Sequence, residues 1–229
     1  MRLFRVQFFR NSLLLVILLI LLPGCVLATV RTLEEDEESK AGFSPEDYVD
    51  EIWDSRVLPT YQEKAQDITT LLAAIEADQE AAIEQYGSRS GTGSYSFMIH
   101  GTGKIVTFDT SSRAGLATVD LDPADGTPDL SLTIGPLIKI SQRASVRDAV
   151  GFIQYGNFVN QQEFAGVANA MGERITLMIA AALGAESVDA IQEIDPASVE
   201  GKTVSFTGAF SLDDLENIIV VPVQFEVID

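Results

Sequence analysis

Apolar positions follow two different patterns along the chain. Between Ser44 and Gly87 they recur at helical spacing; beyond Gly93 they gather in short runs bounded by Gly, Pro and Asp. Ser44-Pro45-Glu46-Asp47 predicts a helix start, with a capping hydroxyl, Pro at the first helical position and acids in the first turn. Val49, Ile52, Trp53 and Val57 give that helix one apolar face, and Pro59 predicts its end. A second helix is predicted from Ala65 to Tyr86, where Ile68, Leu71, Leu72, Ile75, Ala82, Ile83 and Tyr86 form a core-facing stripe and Gly87 occupies the C-terminal cap.

After Gly93 the pattern is that of strands. Tyr95–Ile99 and Lys104–Phe108 are predicted as two strands joined by a glycine hairpin at Gly101 and Gly103. Leu116–Leu121 follows, then a turn at Asp122–Gly126, then Leu130–Ile134. A long helix is predicted over about 160–183. Asn160 and Glu163 form a capping-box variant, Phe164, Val167, Ala168, Met171, Ile175, Met178, Ile179 and Leu183 form one face, and Gly184 stands at the end. Lys202–Phe210 and Ile218–Val227 complete the chain as strands. Strands, one long helix and two more strands is the order of an OB-type barrel. The expected fold is α+β: a helical region over 44–92, then an OB-like β domain over 93–229 with the long helix inserted between strands.

The first 24 residues depart from both patterns. Arg2, Arg5 and Arg10 precede the apolar run Leu13–Leu22, and Leu22-Pro23-Gly24-Cys25 follows it. That run is half the ~20 residues a bilayer-spanning helix needs, so it reads as a secretory signal peptide over 1–24. The Leu22–Cys25 tetrapeptide resembles a lipobox, which implies cleavage after Gly24 and a diacylglycerol thioether on Cys25. The alternatives are an uncleaved signal anchor or ordinary cleavage nearby, and both still export the chain. Cys25 is the one cysteine in the sequence, so an intramolecular disulfide is excluded and stability must come from the core. Residues 25–43 form a linker in which Glu34–Glu38 is an acidic, self-repelling spacer.

Charge narrows the partners. The signal carries three of the 15 basic residues and none of the 34 acidic ones, leaving 12 against 34 and a net charge of −22. Nucleic acid, which is held by Lys and Arg on phosphates, is excluded as a partner, as is electrostatic attachment to anionic lipid.

Candidate chemistry is sparse. Gly101-Thr102-Gly103-Lys104 lacks the P-loop glycine, having Met98 there, and Ile105 stands where a Ser or Thr is needed. His100 is the one histidine, so a serine–histidine or histidine–metal mechanism must use it; it reads as a structural residue at a strand end. Asp120, Asp122, Asp125 and Asp129 surround Pro123 and Gly126; they read as a turn, with a calcium loop as the alternative. No catalytic residue, metal or cofactor is expected. The segment from Arg147 to Glu163 is different in kind. Arg147, Asp148, Asn157, Asn160, Gln161 and Glu163 stand beside Phe152 and Tyr155 in an otherwise amide-poor chain. They are the candidate binding residues, with a self-satisfying polar knot as the alternative.

The same segment carries a family resemblance. Ile134-Gly135-Pro136, Val146–Ala149, Phe152-Ile153, Asn157-Phe158 and Asn160–Ala165 resemble the signature of the predicted periplasmic lipoproteins, domain of unknown function 2291. Trp53 with Pro59, Tyr86-Gly87, Gly101 with Gly103, and Gly201–Phe210 fit it too. Between Gly135-Pro136 and Arg147-Asp148 the chain is longer than that pattern. The resemblance implies no established activity. Because such proteins are often encoded beside sugar-type ABC transporters, it implies a non-enzymatic accessory to solute uptake that binds the solute or the transporter's periplasmic parts. A structural envelope lipoprotein without a ligand, or an undetected hydrolase, are the alternatives. The expected location is the periplasmic side of a bacterial membrane. Val26, in place of the Asp that retains lipoproteins in the inner membrane, points to the outer one.

Overall fold

The computed structural model describes residues 42–213, 215 and 217–228. The signal peptide, Cys25 and the linker up to residue 41 lie outside the described residues. Residues 43–229 form one compact unit.

Ser44 caps α1 (Pro45–Ile52), accepting a hydrogen bond from the Asp47 N–H at 3.1 Å. Pro59 does not end this helical stretch, contrary to the sequence expectation. A π turn over Trp53–Val57 leads into α2 (Leu58–Lys64), with Pro59 in its first turn. A mid-helix proline has no N–H to donate and its ring collides with the carbonyl four residues back; one extra residue in the turn accommodates both.

The helix expected over 65–86 is two helices. Asp67 caps α3 (Ile68–Ala77), and Asp78, in extended backbone, caps α4 (Gln79–Tyr86). Each carboxylate competes with helix continuation by taking the next turn's free N–H groups. Gln66–Asp67, ahead of α3, forms a short strand β1, parallel to the next strand at Ile99 and His100.

That next strand, β2 (Ser96–Asp109), replaces the expected hairpin: the chain runs straight through Gly101 and Gly103. Both glycines are required by close approach rather than by a turn. A Cβ on Gly101 would lie 2.9 Å from Ile68 Cγ2, and one on Gly103 would lie 2.5 Å from the Asp120 carbonyl oxygen. β2 pairs antiparallel with β3 (Leu116–Leu121), which pairs with β4 (Leu130–Thr133). β5 (Thr203–Ser211) and β6 (Ile219–Val227) complete the sheet, with β6 parallel to β4 and β5 antiparallel to both β6 and β2. The order β2-β3-β4-β6-β5 returning to β2 closes a five-stranded barrel. A bulge between Ile105 and Thr107 bends β2, so its first half faces β5 and its second half faces β3.

Two helices, not one, separate β4 from β5. The segment between Pro136 and Arg147 becomes the first part of α5 (Ile140–Ala149), a helix beyond those expected from the sequence. The long helix, α6 (Gln161–Ala182), follows as expected. Asn160 caps it and Gly184, at φ +71°, closes it: Ala185 N–H donates to Ala180 O at 2.9 Å and Gly184 N–H to Ala181 O at 3.1 Å. α6 packs on α1, α5 and β6, while α5 packs on β2, β5 and β6.

The core thus has two parts. Ile99, Ile105, Val204, Phe206 and Phe210 alternate onto one face of the sheet, and Phe97 stacks on Phe210 with centroids 5.5 Å apart. Val49, Trp53, Tyr61, Val146, Met171 and Ile175 form the helical layer. Among the described residues no helix is long and apolar enough to cross a membrane.

Candidate functional site

The Arg147–Glu163 segment folds into a polar knot. Arg147 and Asp148 end α5 and are both 7% exposed. Arg147 Nε donates to Asp148 Oδ1 at 2.8 Å, its Nη1 donates to the Phe164 carbonyl at 3.0 Å, and its guanidinium carbon lies 3.4 Å from the Phe164 ring centre. Ser88 Oγ donates to the Asp148 carbonyl at 2.7 Å, tying the segment after α4 to α5. Burial pushes the Asp148 carboxyl above its ordinary value, while the Arg147 hydrogen bond and charge pull it down. Burial and the neighbouring Asp148 charge push the Tyr61 phenol well up, and its hydroxyl donates to the Val146 carbonyl at 3.1 Å.

The amides sit apart from that pair. Asn157 Oδ1 accepts from Gln154 N–H at 2.8 Å, holding a short turn. Asn160 Oδ1 accepts from Glu163 N–H at 2.9 Å, its Nδ2 donates to Glu163 Oε1, and Glu163 Oε2 accepts from Val159 N–H. Gln161 is exposed in the first turn of α6. The segment therefore brings Arg147 to Asp148 and Asn160 to Glu163, but does not converge all six candidates on one cavity.

The Asp120–Asp129 loop is built as a turn. Asp120 accepts from the N–H groups of Asp125 and Gly126, Asp129 Oδ2 from Leu121 N–H, and Asp125 Oδ1 from Thr127 N–H. Among the described residues no group of three or more His, Cys, Asp or Glu is placed to hold a metal ion.

A groove on the β5–β6 face, among the described residues, was not expected from the sequence. β5 turns Val204, Phe206 and Gly208 inward and leaves Thr203, Ser205 and Thr207 half-buried on its other face. β6 likewise buries Phe225 and turns out Gln224 and Glu226. Register sets these in cross-strand rows: His100, Thr207 and Gln224 in one, and Thr102, Ser205 and Glu226 in the next. Trp53, Leu58 and Met178 of the helical layer stand beside Ser205, Thr207, Gln224 and Glu226, with Phe206, Val223 and Phe225 behind them, around a groove of about 530 Å³. Alternating polar residues in β5 and β6 were the available signal; their juxtaposition with Trp53 was not. His100 is exposed one strand away, beside Asp67 in the β1 pairing. A smaller polar pocket, about 220 Å³, lies between Lys139, Gln142 and Ser145 of the α5 start and Ser211, Asp213 and Asn217.

The family model described as predicted periplasmic lipoprotein, domain of unknown function 2291, matches residues 15–226. The chain belongs to this family. No curated protein matches it. Among solved structures it is similar to an OB-fold protein from Thermotoga maritima, at 18% identity and a TM-score of 0.58, over 81% of this chain and 99% of that one. The likeness bears on the fold alone and agrees with the closed five-stranded barrel seen here, an OB-type fold.

Proposed function

We propose that this family member is a lipid-anchored, non-enzymatic accessory to a sugar-type ABC uptake system, and that its β5–β6 groove takes the solute. The groove is the observation that carries this reading. Its volume lies in the range of small-molecule sites. Ser205, Thr207, Gln224 and Glu226 mark the corners of a rectangle about 5 Å by 7 Å, from strand spacing and two-residue rise, comparable to a sugar ring. Hydroxyls, an amide and a carboxylate match the donors and acceptors of a neutral polyhydroxylated solute, and Trp53, Leu58 and Met178 form an apolar wall for its C–H face. Glu226 and the net charge of −22 disfavour an anion. The anchor in this reading is a thioether lipid on Cys25, with the chain on the periplasmic side of the outer membrane.

A second reading, an envelope protein that serves only protein contacts, draws on the internally satisfied Arg147–Asp148 knot. Calorimetric titration of the Cys25→Ser protein with ribose, glucose and maltose separates the two. The solute reading expects saturable binding of at least one, weakened about tenfold by Thr207→Val, the loss of roughly one hydrogen bond. No saturable heat from any of the three leaves the protein-contact reading standing.

A further inference from the structure

Five aromatic rings form a continuous cluster where the folded unit begins. Tyr48 meets Phe43 at 5.5 Å, Phe43 meets Phe158 at 5.3 Å, Phe158 meets Phe164 at 5.6 Å and Phe164 meets Tyr155 at 5.7 Å. The outer edge is open: Phe43 is 36% exposed, Tyr155 49% and Val159 90%. These last residues lie on or beside the loop 152–159, which is firmly held from beneath. Tyr155 N–H donates to Ser90 Oγ, Gln154 Nε2 donates to the Gly151 carbonyl, and the Arg147 guanidinium supports Phe164. An apolar tip on a braced loop has already lost the conformational freedom that docking would otherwise remove.

We propose that this cluster docks on the zwitterionic lipid surface of the membrane to which the chain is tethered, a proposal that rests on the lipid at Cys25. The place of the tether supports this occupant. Phe43 is the first residue of the folded unit, and only residues 26–42 separate it from Cys25. Seventeen residues reach at most ~60 Å, which holds the folded unit at an effective concentration in the millimolar range, so a weak apolar contact suffices. Tyr and other aromatic rings with one wet edge are suited to the headgroup level. The charge selects the lipid: a net −22 with Glu34–Glu38 next to the tether root repels both anionic headgroups and a second copy of the chain, but not a zwitterionic surface.

The single cysteine makes the test clean. Once Cys25 carries its thioether, Val159→Cys supplies the one free thiol for a polarity-sensitive fluorophore. The control is Ile140→Cys, at another exposed apolar position (75%) outside the cluster. The lipoprotein is reconstituted on phosphatidylethanolamine–phosphatidylcholine vesicles containing a headgroup nitroxide lipid. Quenching at position 159 is expected to exceed that at 140 at least threefold, to persist in 0.5 M salt (about the range where exposed charges are screened), and to fall to the control level with Phe43→Ser and Tyr155→Ser. Equal quenching at 159 and 140 overturns the docking while leaving the anchor intact. Crosslinking between copies through position 159 in place of quenching also overturns it, assigning the cluster to self-association. Two reactive thiols, or protein that does not float with the vesicles, shows instead that the anchor reading has failed, and the docking falls with it.

Discussion

Arg147 donates from Nε to Asp148 Oδ1 at 2.8 Å while its guanidinium carbon stands over the Phe164 ring, 3.4 Å from the ring centre. Neighbouring residues at the end of α5 thus neutralise each other inside the protein, and the Phe164 carbonyl takes a further guanidinium N–H. The pair fastens α5 to the first turn of α6, and Ser88 extends the fastening to the segment that follows α4. Loss of either charge leaves the other buried.

Arg147→Ala is therefore expected to destabilise the fold by about 3–5 kcal/mol, the cost of an unpaired buried charge. Urea unfolding of the Cys25→Ser protein measures it. A change below 1 kcal/mol, about the range of an exposed pair, would show that the guanidinium is not buried against Asp148.

Asp148 gives a pH signature. The folded state holds the Asp148 proton more tightly than the unfolded chain, because burial raises the carboxyl. Its favourable contribution is complete below the ordinary carboxylate range and is lost as pH rises through the raised folded value. The stability difference between wild type and Asp148→Asn is expected to shift against the wild type across that window. A pH-independent difference contradicts it.

Gly103→Ala tests the close approach of β2 and β3. The added Cβ would sit 2.5 Å from the Asp120 carbonyl oxygen, which is backbone and cannot swing aside. A loss of about 1–3 kcal/mol is expected from thermal melts, as for other overpacked positions. Gly126→Ala, where a Cβ meets nothing within 4 Å but φ is +93°, isolates the backbone cost alone.

Asn160→Ala removes the α6 cap and the partner of Glu163. A loss of about 1 kcal/mol is expected, with saccharide binding in the β5–β6 groove unchanged. Binding lost without loss of stability would move the solute site to the α6 start.

Cys25→Ser is expected to release the protein from membranes and to abolish labelling by palmitate, since serine forms no thioether. Salt-resistant membrane association equal to that of the wild type would remove the anchor from Cys25.

Much of this protein was legible in residue order alone. Short-range rules identified the Ser44 start, the Asn160–Glu163 cap, the Gly184 close and the last four strands, because each depends on groups within one turn or one strand pair. Family membership was legible for a similar reason: its motif residues lie in compact runs. The errors came where a distant partner decided. Gly101 and Gly103 carry turn propensity, yet Ile68, Phe206 and Asp120 press so closely on them that only a strand without side chains fits. Pro59 signals a break that a π turn over Trp53–Val57 absorbs, whereas the helix expected over 65–86 does break, at Asp78, whose carboxylate caps the second half. The Arg147–Glu163 residues were visible as a cluster in sequence, but only the fold turned Arg147 and Asp148 inward and Gln161 outward. The groove depends most on tertiary structure. Ser205, Thr207, Gln224 and Glu226 become neighbours through β5–β6 register, and Trp53, some 150 residues earlier, meets them only because the helical layer packs against those strands. Periodicity determines which face of a strand is polar; what stands opposite that face is set by long-range packing.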